Sequence, residues 1–367
     1  MIVDTHIDVP YRLREKMEDV GLRTEIGDFD YPRARAGGLD LPFMSIYVPA
    51  SYQETGGAKQ LADELIDMVE GIVAAHDDKF ALVDGVDRAR QVFADGKIGF
   101  ALGMENGAPV EDDLANLGHF HERGIRYITL THSKDNQICD SSYDDTHTWN
   151  GLSPFGQQVV AEMNRLGIIV DVSHVSDATF ERVIELTQAP VIASHSSCRA
   201  FTPGWERNIS DDLIRRLADN GGVVHINFGS DFLDDEYRLQ RKGHREEIKR
   251  HLEAEAISED SPEAREYGRQ FFRDHPVPTA DVADVVQHID HVVQLVGIDH
   301  VGIGSDFDGV GDSLPTGLKD VSGFPNLIDA LLDAGYTEAD IEKICSANLM
   351  RVWTEVEQVA RRLQAGG

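Results

Sequence analysis

Ile168-Ile169-Val170-Asp171-Val172-Ser173-His174 is a run of apolar and β-branched residues that breaks off at a histidine. Its composition suits a strand buried on both faces, as in a parallel sheet. Residues 2–8, 41–48, 98–105, 127–132, 190–195, 222–228 and 300–306 have the same form, which makes eight such runs. Between most of them lie amphipathic helical patterns, at 58–75, 155–166, 177–186, 210–218 and 279–296; the last two open on the caps Ser210 and Thr279. Eight strand–helix alternations predict an α/β chain closed into a (β/α)8 TIM-type barrel. No Pro/Gly/Ser linker divides the chain, so residues 1–367 are expected to form one domain. A strongly charged segment at about 231–275, helical in composition, follows the seventh strand and far exceeds an ordinary connection. It is read as an insertion over the face that carries chemistry, either a lid or a solvated helical excursion.

Charge narrows the classes of function. The 34 Lys and Arg against 65 Asp and Glu leave a net charge of −31, the wrong sign for nucleic acid or an anionic membrane surface. With 41% hydrophobic residues there is ample material for a core, which excludes a disordered chain. Cys139, Cys198 and Cys345 have no C-x-x-C spacing, so neither a disulfide framework nor a zinc knuckle is expected. No apolar run reaches the ~18 residues of a membrane span. Met1-Ile2-Val3 runs straight into Asp4 without the pattern of a secretory leader, and a cytoplasmic protein is the expectation.

The strand ends carry the chemistry. His6 and Asp8 close the first run, Glu105 the third, His132 the fourth, His174 the fifth, His195 the sixth and Asp306 the eighth. All are C-terminal strand ends, where barrel enzymes place their reactive groups. One histidine after a strand is ordinarily a satisfied structural residue; six strands doing this together point to a metal site. Residues i and i+2 of a strand share a face, so His6 and Asp8 can grip one ion. Imidazole and carboxylate suit Zn2+, with Mn2+ or Co2+ as substitutes. Three histidines and two carboxylates exceed one open tetrahedral site. They suit two ions ~3.5–4 Å apart that share a carboxylate, with Glu105 the natural bridge.

Asp4-Thr5-His6-Ile7-Asp8, Gly103-Met104-Glu105-Asn106-Gly107, Leu130-Thr131-His132-Ser133, the stretch 170–176, Ser194-His195-Ser196-Ser197, Glu206-Arg207-Asn208 and Gly304-Ser305-Asp306-Phe307-Asp308-Gly309 occur in that order. Together they resemble the renal (membrane) dipeptidase family of binuclear zinc peptidases, from Asp4 to about Val352. The resemblance implies one zinc on His6, Asp8 and Glu105 and a second on Glu105, His174 and His195. It implies that His132 contacts substrate and transition state, and that Asp306 shuttles the proton of a hydroxide bridging the ions. Arg207 takes the free carboxylate of a dipeptide, with Arg199 as the second candidate. The second residue of that dipeptide is allowed to be a D-residue. No leader, lipid-anchor tail or cysteine pattern of the mammalian members is read in the sequence, and a chain similar to the bacterial members is the expectation. A dipeptide is the expected partner, and a homodimer is the assembly this reading allows.

Other groups take the plain reading. His119 and His121 precede the fourth strand, at the wrong end of the barrel, and are read as surface residues; His288 and His291 are read as helix-face residues. Asp4 and Asp171 are read as supporting carboxylates, and Asp308 as a turn acid or a helper. The competing activities are an N-acyl amino acid deacylase or a β-lactam-cleaving amidohydrolase on the same site. A metal-dependent deoxyribonuclease is disfavoured by the charge and by Asp8 standing where a second histidine is needed. A catalytically dead binding protein predicts gaps in the ligand set, and none is found.

Overall fold

The computed structural model of the chain describes residues 1–258 and 261–366. Its described residues form strands β1 (Ile2–Ile7), β2 (Leu39–Tyr47), β3 (Phe80–Leu82), β4 (Ile98–Glu105), β5 (Ile125–Thr129), β6 (Ile169–Asp171), β7 (Ile192–Ala193), β8 (Val223–Ile226) and β9 (Val301–Ile303). Eight of them run in the order β1-β2-β4-β5-β6-β7-β8-β9, every pairing parallel, and this is the expected barrel. The ring closes through a bridge between Ile7 and Phe307, with the Asp306 amide donating to the His6 carbonyl at 3.0 Å.

The ninth strand, β3, lies outside the eight expected runs. It pairs with the first half of β4, Phe80 beside Ile98, while the second half of β4 pairs with β2. Three residues are too few to show an alternation in the sequence. The strands are also shorter than the runs that predict them. The chain leaves β6 and β7 before His174 and His195, so the runs contain both the strand and the turn that aims its last side chain.

Two layers of core hold this frame. Outside, helices such as Ala58–Ala75 and Pro154–Leu166 bury one face each against the strands. Inside, the C-terminal helix Asn348–Ala365 plugs the end where the strands begin: Trp353 packs 5.4 Å from Phe43, and Arg351 donates to the carbonyls of Gly221 and Asp299. That end is sealed, so only the opposite mouth is open to chemistry. Ser210 caps its helix as expected, its side chain accepting from the Leu213 amide. The cap at Thr279 is displaced to Asp281, where a reciprocal box with Asp284 outcompetes it, and the Thr279 hydroxyl takes Lys319 instead. The described residues of segment 231–275, which leave out 259–260, form the helices Ser230–Leu233, Asp235–Ala254 and Pro262–Asp274. Among the described residues no helix is long and apolar enough to cross a membrane.

His288 is a structural residue buried within the fold. Its Nδ1 accepts from the Cys198 amide at 3.0 Å and its Nε2 donates to the Leu233 carbonyl at 3.1 Å. Burial, with His291 beside it, pushes its pKa down to about 4. The folded value lies below the ordinary 6.5, so the stability it contributes is complete above pH 6.5 and is lost as pH falls towards 4. His288→Phe strands one buried amide and one carbonyl, at about 1–3 kcal/mol each. Urea unfolding should therefore show a marked loss at pH 7.5 and a narrowing gap between variant and wild type as pH approaches 4.

Candidate active site

Four of the strand ends meet on one carboxylate. Glu105 ends β4 fully inside the mouth, and its two oxygens face different partners. Oε2 lies 3.4 Å from His6 Nε2, which is itself 3.5 Å from Asp8 Oδ2. Oε1 lies 3.1 Å from His174 Nε2, 3.4 Å from His195 Nε2 and 3.6 Å from His132 Nε2. Burial alone would push Glu105 up, but the facing His6, His174 and His195 hold it well below the usual carboxylate range. Burial, followed by the Arg207 charge at His174 and the His6 charge at His195, holds both of those imidazoles well below their ordinary range. They are therefore neutral, the form that binds a metal. Burial opposes a proton on His6, but Tyr127, Glu105 and Asp8 drive it well above the ordinary value.

The donor set fits divalent cations. His6 Nε2, which faces both Glu105 and Asp8, is buried without a hydrogen-bond partner. Most of the contacts among the donors are too long for hydrogen bonds. Ligands ~2.0–2.2 Å from one tetrahedral ion stand about 3.4 Å from each other, which is the spacing seen here. Three overlapping clusters have this compactness: His6, Glu105 and His195; Glu105, His132 and His174; His6, Asp8 and Asp306.

The supporting groups explain the aim of the ligands. Asp171 accepts from the Ser173 and Ser194 amides and the Ser194 and Thr129 hydroxyls, and Ser194 Oγ stands 2.7 Å from His195 Nδ1. Asp4 ties the His6 amide to that of Ser305. Across the barrel, the Tyr127 hydroxyl lies 2.8 Å from His6 Nδ1. Asn106, His174, Asp306 and Asp308 all take the left-handed backbone region (φ 82°, 68°, 64° and 66°), a local strain that turns these side chains across the mouth. Gly309 lies so close that an added Cβ would stand 2.2 Å from both Asp8 Oδ2 and Asp306 Oδ1.

Asp306 receives a hydrogen bond from Asn227 Nδ2 at 2.7 Å, and burial, then the Asp8 charge, pushes its pKa up to about 8. His132 stands on the cavity wall against the edge of Tyr47. Arg207 lies beneath the mouth and is 2% exposed. Its Nη2 donates to the His195 carbonyl and stands 3.0 Å from His174 Nε2, its Nη1 donates to Ser196 Oγ, and its Nε has no partner. Arg199 faces elsewhere, gripping Asp177 with both terminal nitrogens and the carbonyls of Asn208 and Glu206. Asp308 clasps Arg12 and the Asp28 amide. His119 pairs with Asp63 on a helix outside the mouth. Tyr127, Ser194, Asn227, Tyr143 and Phe232 belong to the site although sequence reasoning passed over them. The cavity over Glu105 holds about 460 Å3, enough for a small molecule of a few residues at most.

The family model for membrane dipeptidase (peptidase family M19) matches residues 1–367. An uncharacterised dipeptidase of Schizosaccharomyces pombe is 34% identical over 384 residues, covering 99% of this chain and 82% of the relative. Among solved structures, the probable dipeptidase PvdM of Pseudomonas aeruginosa superposes with a TM-score of 0.83 at 28% identity, over 98% of this chain and 96% of that one. A metallopeptidase of Rhodobacter sphaeroides, solved with a phosphinate mimic of the dipeptide L-Ala-D-Ala, gives 0.79 at 26% identity, over 97% and 99%.

Gly103 faces Tyr127 so closely that a Cβ would stand 2.0 Å from its ring. Gly103→Ala should displace that fully buried ring and its contact with His6. Overpacking of this kind costs about 1–3 kcal/mol. Thermal unfolding is the measurement, and an unchanged Tm would mean the ring is not held as described.

Proposed function

The chain belongs to the membrane dipeptidase family and hydrolyses peptide bonds, and we propose that it is a zinc-dependent dipeptidase working at the Glu105 cluster. The observation that carries this is the division of the Glu105 oxygens, Oε2 towards His6, itself beside Asp8, and Oε1 towards His174, His195 and His132. One zinc on His6, Asp8 and Glu105 and another on Glu105, His174 and His195 supply a water acidified towards neutral pH and a polarised carbonyl, chemistry that Mn2+ or Co2+ can replace.

The protein's own groups do the rest. Asp306 accepts the proton of the attacking water and returns it to the leaving amine, its Oδ2 steadied by Asn227. His132 projects over the same cavity and donates to the oxygen on which charge develops. Arg207 anchors the free carboxylate of the second residue. Once His174 Nε2 is committed to a cation, Nη2 loses that neighbour and joins the unpartnered Nε as a planar fork. A fixed anchor one residue beyond the scissile bond selects dipeptides over longer chains. Arg199, committed to Asp177, is set aside for this role. The L-Ala-D-Ala mimic bound by the Rhodobacter relative supports acceptance of a D-residue at the second position.

Metal analysis of the purified protein should find two divalent ions per chain, and chelation should abolish dipeptide cleavage until zinc is restored. Glu105→Gln should lose both metal and rate. Asp306→Asn should keep its metal and lose about 10²–10⁴-fold in kcat, the usual worth of a proton carrier. Full activity with at most one ion overturns the binuclear reading.

The anchor is tested with a dipeptide and its C-terminal amide. Wild type should discriminate strongly against the amide. Arg207→Ala should lose about 1.5–3 kcal/mol of binding to the acid and treat both substrates nearly alike. Undiminished preference for the acid would place the anchor elsewhere.

A further inference from the structure

A second cavity of about 430 Å3 adjoins the one over Glu105. Its wall is made of Tyr143, Trp205, Asp231, Phe232, Arg238, Lys242 and Arg245. Tyr143 and Phe232 are the two residues common to both walls among the described residues, so together they form the partition between the cavities.

The two halves of this partition differ in how firmly they are held. Phe232 is 8% exposed; its ring packs 5.1 Å from Trp205 and lies 5.0 Å beneath the Arg207 guanidinium, and its carbonyl accepts from Asn208 Nδ2. It cannot be removed without releasing Arg207. Tyr143 is 43% exposed, with its ring 5.8 Å from His174 and 6.2 Å from Trp205. Its backbone is nonetheless fixed. The Tyr143 amide donates to Ser141 Oγ, Ser141 Oγ donates to the His132 carbonyl, and the Ser142 amide donates to the His174 carbonyl. A large ring is thus mounted on the strand ends that carry two of the site histidines.

We propose that Tyr143 is a specificity-determining residue that limits the size of the second residue of the substrate. This rests on the dipeptidase reading, because a carboxylate anchored at Arg207 puts that residue's side chain beside Phe232 and hence against Tyr143. The ring closes the route into the neighbouring cavity, so small side chains fit and bulky ones meet it. Removing it joins the two cavities and gives a large side chain the Trp205 face on which to lie.

The test compares kcat/KM for Ala–Ala and Ala–Phe, in whichever C-terminal configuration the wild type cleaves, so that any loss common to both substrates cancels. Tyr143→Ala should raise the Phe/Ala ratio at least tenfold, within the range that pocket contacts supply. Tyr143→Phe, which keeps the ring, should leave the ratio within about twofold of wild type. An unchanged ratio in Tyr143→Ala, or an equal rise in Tyr143→Phe, overturns the assignment. Wild-type cleavage of Ala–Ala separately tests the dipeptidase reading. Were it absent, a crystal structure of Tyr143→Ala still decides the partition: one continuous cavity supports it, and two separate cavities overturn it.

Discussion

The fold is organised around the burial of one carboxylate among imidazoles. Glu105 sits where water cannot solvate it, and four histidine nitrogens from four other strand ends converge on its two oxygens. An isolated buried carboxylate is expensive, and the facing imidazoles, His6 first among them, offset that cost. Much of the molecule follows from supplying it. The barrel brings strand ends into a ring, the C-terminal helix seals the opposite end, and left-handed residues turn the side chains inward.

Rigidity around the ligands comes from a layer of groups that never reach the cavity. Asp171 binds β5, β6 and β7 together through two amides and two hydroxyls, and reaches His195 through Ser194. Asp4 does the same for β1 and the turn after β9. Asp171 has both oxygens occupied by backbone and hydroxyl donors, while Asp4 spends Oδ1 on two amides and leaves Oδ2 without a partner. Candidate ligands and supporting residues are both acids at strand ends. What separates them is that Asp8, Glu105 and Asp306 line the cavity and Asp4 and Asp171 do not.

That distinction explains what could be read from the sequence. The barrel, the eight runs and the six strand ends were legible, because a two-sided buried strand and a charged terminus leave a local pattern of residue types. Helix 58–75 was legible to the residue, since its apolar face repeats without interruption. The contribution of Tyr127, Asn227 and Phe232 was not, because each acts on a partner from a distant part of the chain: His6, Asp306 and Arg207. β3 left no trace because three residues carry no period. The cap at Thr279 was misplaced because Thr and Asp are both acceptable caps in isolation. The choice fell to Asp284, three residues past Asp281, whose carboxylate accepts a hydrogen bond from the Asp281 amide. The competition between Arg199 and Arg207 was also beyond the sequence. Both follow His195 closely, and only the fold shows that Asp177 claims one of them.

With the proposed cations bound, the charge balance at the mouth would reverse that of the chain. Asp8, Glu105 and Asp306 contribute at most three formal negative charges against a total of −31. Two divalent cations, as proposed, bring four positive charges, and Arg207 adds a fifth. The bound site is therefore cationic inside an acidic protein. At physiological ionic strength the screening length is about 8 Å, so surface acids beyond that distance scarcely weaken the pull on a carboxylate already in the cavity. Within it they still matter: Glu15 and Asp308 stand on the cavity wall, the latter already committed to Arg12. Arg207 meets this field from beneath the mouth, held against Phe232. Its guanidinium is desolvated, and that desolvation makes its hydrogen bonds worth more than those of an exposed arginine.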